Sequence, residues 1–122
     1  MEFELLISDK RFQEAVDLFN SENWYPAHDA FEELWHETYG PERTTLQAFL
    51  QIAVAQLHLE SGNMNGATIL FGEALGRLTK LGAPDLGFDT ENLGKCIEQR
   101  LICLQQEAEL LDSNPLCLIK KI

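Results

Sequence analysis

Three observations predict an all-α fold, a compact five-helix bundle built around two similar helical hairpins. Apolar residues recur at helical spacing in five successive stretches, and no run shows the sustained two-residue alternation of a strand. Turn and cap residues separate the stretches. The chain also matches itself on the shift that carries Asn23 onto Asn63.

Phe12, Ala15, Val16 and Phe19 form the first helical face, after Ser8 as a plausible N-cap. Ala27, Ala30, Phe31, Leu34, Trp35 and Thr38 repeat that spacing on a second helix, with Pro26 in its first turn and Gly40-Pro41 marking its end. Thr44-Thr45-Leu46-Gln47 fits a capping box and opens a third helix. That helix is apolar on almost every side, which makes it the central one. After Gly62-Asn63 a fourth helix runs from about Met64 to Lys80, ended by Gly82, Ala83 and Pro84. Asp89 caps a fifth, which closes the core from about Thr90 to Leu111. The tail, 112–122, is expected to be loose or packed as a short extension.

The same shift places Ala27 on Ala67, Phe31 on Phe71 and Glu33 on Glu73. Each match sits in a helix that follows a short turn, so the repeated unit is a helical hairpin. The pattern looks like tetratricopeptide repeats, in which small Ala residues let paired helices approach. Two units fall short of a solenoid, so a compact bundle is expected.

At 122 residues the chain fits one domain with a real core. Its 45% apolar and 24% charged residues are those of a soluble globular protein. The net charge of −11 argues against nucleic acid and against anionic membrane surfaces, both of which need a Lys/Arg footprint. Leu46–Leu59, the longest nearly apolar stretch, is too short to span a bilayer. Met1–Ile7 carries Glu2 and Glu4 and lacks the pattern of a secretory signal. Three Cys cannot all pair with one another, and none has a C-x-x-C spacing, so a reducing cytoplasm is the simplest location.

On the second helix His28, Glu32 and Trp35 share one side. With Ala27 at zero and about 100° per residue, Trp35 lies near 80°, His28 near 100° and Glu32 near 140°. Imidazole and carboxylate thus flank the core boundary beside an indole, where a semi-buried site would form. His36 falls on the far side of the wheel from Ala27 and is expected to face water. On the third helix Gln47, Gln51 and His58 form one polar line on an apolar rod, while Gln56 points roughly opposite. Buried polar groups must meet polar partners, so this line is expected to converge with His28 and Glu32. Simpler roles stay open. His28 and Glu32 could satisfy each other at i,i+4, Trp35 could be core, and Gln47 could serve only the capping box.

His28-Asp29-Ala30-Phe31-Glu32-Glu33-Leu34-Trp35 reads H-x-x-x-E-x-x-W. It resembles the signature of the bacterial and archaeal family called domain of unknown function 309. Phe19-Asn20, Tyr25, Leu46-Gln47-Ala48-Phe49-Leu50-Gln51-Ile52-Ala53, His58-Leu59, Gly62-Asn63 and Gly66-Ala67 agree with it, from about Phe12 to Leu78. The resemblance implies an all-helical bundle and places His28, Glu32, Trp35, Gln47, Gln51 and His58 in the family pattern. Ala48 and His36 depart from it, and the family has no assigned activity.

Three function classes remain. A protein-interaction or small polar ligand-binding module would use the His/Glu/Gln cluster. Residues 1–60 hold 12 acidic and 3 basic residues against 8 and 6 in 61–122, which suits a cationic ligand, a basic partner or a self-association face there. A metal site would take His28, Glu32 and His58, two imidazoles and one carboxylate. An acid/base enzyme would use Glu32 and His28, but no nucleophile, phosphate loop or H-E-x-x-H signature accompanies them. The residues do not identify a cofactor.

Overall fold

The computed structural model describes residues 2–106, 116 and 118–120. Among these residues there are six helices and no strand: α1 (Phe3–Ser8), α2 (Lys10–Asn20), α3 (Trp24–His36), α4 (Glu42–Glu60), α5 (Met64–Leu78) and α6 (Thr90–Gln105). The expected all-α class holds, but the count of five is corrected by α1. This short helix buries only Leu6, too little for a periodic signal. The cap between α1 and α2 is Asp9 rather than Ser8. Asp9 Oδ1 accepts from the Arg11 backbone N–H at 2.9 Å, whereas the Ser8 hydroxyl donates back to the Glu4 carbonyl. The capping box at Thr44 is also corrected. Helix α4 already begins at Glu42, and the Thr45 hydroxyl donates to the Pro84 carbonyl at 2.6 Å. Helix α6 is described to Gln105, and 107–111 lie outside the described residues.

Each helix packs on its neighbours in sequence, and α4 lies between α3 and α5. As its composition predicts, α4 is buried on most sides, through Leu46, Ala48, Phe49, Ile52, Ala53 and Ala55. The centre of the core is aromatic. Phe31 meets Phe12, Phe19 and Phe49 at centroid distances of 6.4, 6.3 and 5.6 Å. Phe88 closes on Phe12 and Phe49 from the loop before α6. Edge-to-face pairs of this kind contribute about 0.5–1.5 kcal/mol each beyond the area they bury.

The turns at the start of α3 and α5 share one backbone structure, used once in each hairpin. Asn23 N–H donates to Leu18 O at 2.9 Å, and Asn63 N–H donates to His58 O at 2.8 Å. In both turns the preceding residue is left-handed, Glu22 at φ +63° and Gly62 at φ +80°. This is the i→i−5 closure of a Schellman turn, which satisfies the last carbonyls of one helix as the next begins. The α2–α3 and α4–α5 hairpins therefore share their turn geometry as well as their sequence.

Part of the tail is packed rather than loose. Leu116 and Leu118 are buried. Asn20 grips the Leu118 backbone twice, donating to its carbonyl at 3.1 Å and accepting from its N–H at 2.7 Å. The Asp89 N–H donates to Ile119 O at 2.7 Å, beside an antiparallel bridge between Phe88 and Lys120. The remaining tail positions lie outside the described residues.

Candidate functional site

Helix α3 buries Trp24, Ala27, Phe31 and Leu34. Its neighbours in angle, His28 and Glu32, are consequently half-buried at the rim, with side-chain exposures of 22% and 45%. His28 Nε2 lies 3.1 Å from Glu32 Oε2, and His28 Nδ1 lies 3.2 Å from Asp29 Oδ1. The other Glu32 oxygen lies 3.6 Å from His36 Nε2. A continuous strip Asp29–His28–Glu32–His36 therefore runs along one side of α3. Both ring nitrogens of His28 face carboxylates, and both can donate only from an imidazolium. His36 is exposed as its angle predicts, yet Glu32 reaches it, because residues four apart are neighbours on a helix surface. Angle alone does not reveal this contact.

Trp35 sits at the end of the strip, with the His36 ring 5.1 Å away edge-on and the Arg43 guanidinium 3.8 Å above its ring. Cation–π stacking fixes the indole against the start of α4. Its Nε1 is buried without a partner among the described residues.

The polar line of α4 turns to α5, not α3. Gln51, 7% exposed, donates from Nε2 to Glu73 Oε2 at 2.8 Å, and its Oε1 is buried without a partner among the described residues. His58 Nδ1 lies 3.2 Å from Asn63 Nδ2, while Asn63 Oδ1 caps α5 by accepting from Gly66 N–H at 3.0 Å. A Cβ at position 66 would come within 2.7 Å of Asn63 Nδ2 and 3.1 Å of His58 Cδ2, so Gly66 keeps room for this pair. Gln47 is half-buried on the same helix. No hydrogen bond or ion pair among the described residues joins Gln47, Gln51 or His58 to His28 or Glu32. The expected convergence is therefore divided between two neighbours of α4. Among the described residues no three His, Cys, Asp or Glu side chains are grouped to hold one metal ion, the set His28, Glu32 and His58 included.

A second charged group escaped sequence reasoning. Arg11 donates to Asp9 Oδ2 at 2.8 Å, to Glu33 Oε1 at 2.9 Å and to Glu37 Oε1 at 3.1 Å, tying the start of α2 to the end of α3. The guanidinium holds the Asp9 and Glu37 carboxyls below the ordinary carboxylate range, chiefly by these hydrogen bonds. Arg11 thus engages Glu33 and Glu37. Asp29 and Glu32 have no Lys or Arg partner among the described residues and face only imidazoles.

Among the described residues no helix is long and apolar enough to cross a membrane. Comparison with curated proteins finds no match. Residues 12–70, which hold most of α2, all of α3 and α4 and the first half of α5, match the model of the family described as Domain of unknown function (DUF309), the family that the H-x-x-x-E-x-x-W text resembles.

Proposed function

We propose that this chain is a cytoplasmic binding module whose working surface is the α3 strip, and that the strip receives a guanidinium or ammonium group presented by a partner. One observation carries this reading. The strip is dispensable for a hairpin of this kind, because the positions of α5 that match His28, Glu32 and His36 in the repeat are Thr68, Gly72 and Gly76. A helix that only needed to pack would not require two imidazoles and two carboxylates there. Asp29 and Glu32 lack a Lys or Arg partner among the described residues and lie in the half of the chain that carries most of the negative charge, so the local potential favours a cation. The paired tetratricopeptide-like hairpins present this face on a rigid support, as an interaction module requires.

Titration of the ¹⁵N-labelled protein with an arginine-rich peptide, and separately with spermidine, tests the reading. Shifts are expected at Asp29, His28, Glu32 and His36, weakening several-fold in E32Q and at higher salt. Binding that E32Q and D29N leave unchanged would overturn it.

A further inference from the structure

A second site shares no residue with the α3 strip and lies between α1, α2 and the loop before α6. A cleft of about 280 Å³ is lined by Phe3 and Ile7 of α1, Phe12 of α2, Leu86 and Phe88 of the loop before α6, and Lys120. Phe12, Leu86 and Phe88 are buried in the core and form a firm floor. Phe3 and Ile7 stand at the rim, 42% and 40% exposed, so α1 leaves apolar surface facing the opening. Helix α1 itself is anchored by Leu6, which is fully buried.

Among the described residues the mouth carries a single formal charge. Lys120 is the one charged residue among the described residues lining the cleft, and it makes no ion pair with any described residue. Its position is set by the backbone around it. The Phe88–Lys120 bridge, the bond from Asp89 N–H to Ile119 O and the double grip of Asn20 on Leu118 hold this stretch against the loop. The opposite wall is shaped by Leu86 and Gly87, both left-handed, at φ +54° and +88°. A left-handed Leu is a costly backbone state, held here by burial of its side chain.

An apolar floor with an ammonium at its edge that makes no ion pair with any described residue complements an amphipathic anion. We propose that the cleft binds a short-chain or medium-chain carboxylate, with the hydrocarbon over Phe12 and Phe88 between Phe3 and Ile7 and the carboxylate on Lys120. The volume falls just below the usual range of about 300–1,000 Å³ for ligand pockets and suits about eight carbons rather than a long acyl chain. Covering Phe3 and Ile7 removes apolar surface from water, and one ion pair fixes the ligand's direction.

Three probes of equal chain length separate the contributions: sodium octanoate, octylammonium chloride and 1-octanol, each titrated into the full-length protein and followed by ¹H–¹⁵N shifts. Octanoate is expected to bind at least tenfold more tightly than octylammonium, with shifts at Ile7, Gln13, Gly87 and Lys120. The K120E variant alters an exposed residue and should remove that preference while leaving circular dichroism unchanged. Equal binding of the three probes, shifts confined to other parts of the surface, or an octanoate affinity unaffected by K120E would each overturn the proposal. So would sedimentation showing that the α1 face is covered by a second copy and that octanoate does not compete with it.

Discussion

Gln51 donates a 2.8 Å hydrogen bond to Glu73 across α4 and α5, and at the equivalent positions of the first hairpin Arg11 donates one of 2.9 Å to Glu33 across α2 and α3. The two hairpins thus carry the same clasp with different chemistry. In the first the donor is a guanidinium at the surface that gathers two further carboxylates. In the second it is a buried amide that leaves its own oxygen unpartnered among the described residues. The repeat therefore works as an internal control, because one hairpin shows what the fold needs and the other shows what has been added.

The turn pair gives the first prediction. Glu22 holds φ +63° where its counterpart Gly62 holds φ +80°. A non-glycine residue in the left-handed region costs about 1–2 kcal/mol, partly offset by the smaller unfolded-state entropy of a residue with a Cβ. E22G should therefore stabilise the protein by about 0.5–1 kcal/mol. An upward shift in the urea midpoint at unchanged slope is the expected result, and a downward shift would show that the exposed Glu22 side chain is stabilising.

The sister positions of the α3 strip give the second. Gly72 and Gly76 lie inside α5 with helical backbone, and a Cβ built on either meets nothing within 4 Å. Glycine in a helix interior costs about 0.5–1 kcal/mol relative to alanine. G72A and G76A should each raise stability by about that much, because neither new methyl group meets an existing atom, and the double variant should gain at least as much as either single one. Thermal unfolding of the four proteins measures this.

The sequence displayed the helices more clearly than their partners. Spacing located α2 to α6 because each buries a stripe of side chains, whereas α1 buries only Leu6 and leaves no stripe to find. The edge position of His28 and Glu32 followed from angle. Angle also showed that Gln47, Gln51 and His58 share a line on α4, but it carries no information about which neighbouring helix that line meets. Helix α4 has two such neighbours, and a local signal favoured α5. Gly66, three residues after the cap Asn63, leaves space that His58 fills. The Arg11 clasp joins residues 22 and 26 positions apart, beyond any local pattern. The repeat contained the hint, since Glu33 and Glu73 matched and Arg11 and Gln51 are the donors at the equivalent places.

Gln51 itself gives the third prediction. Its Oε1 is buried without a partner among the described residues, and leaving a buried acceptor unmade costs about 1–3 kcal/mol, comparable to or larger than the roughly 1 kcal/mol contributed by the bond to Glu73. Q51M keeps the volume, removes the orphan and frees the exposed Glu73 for water. It should leave stability unchanged or raise it by about 1 kcal/mol. Q51E instead sets two carboxylates against each other at a buried position and should cost about 2 kcal/mol or more at neutral pH. If Q51M proves as damaging as Q51E, Oε1 must be satisfied in solution, by water or by a ligand.

The Arg11 clasp predicts how stability responds to acid. Arg11 lowers the Asp9 and Glu37 values in the folded state relative to about 4 in the unfolded chain. A lowered folded value means that the unfolded state binds protons first as the pH falls. The stabilisation is fully present above the unfolded values and is lost as the pH drops through the lowered folded ones. R11Q copies the donor of the second hairpin, so it can keep a hydrogen bond to Glu33 while losing the charge that acts on Asp9 and Glu37. Wild type should therefore unfold at higher urea than R11Q at pH 7, and the gap should close as the pH falls below about 4. Because these groups are exposed, about 1 M salt at pH 7 should also narrow the gap. A difference that persisted unchanged at pH 2 would assign the role of Arg11 to packing of its alkyl chain against α3 instead.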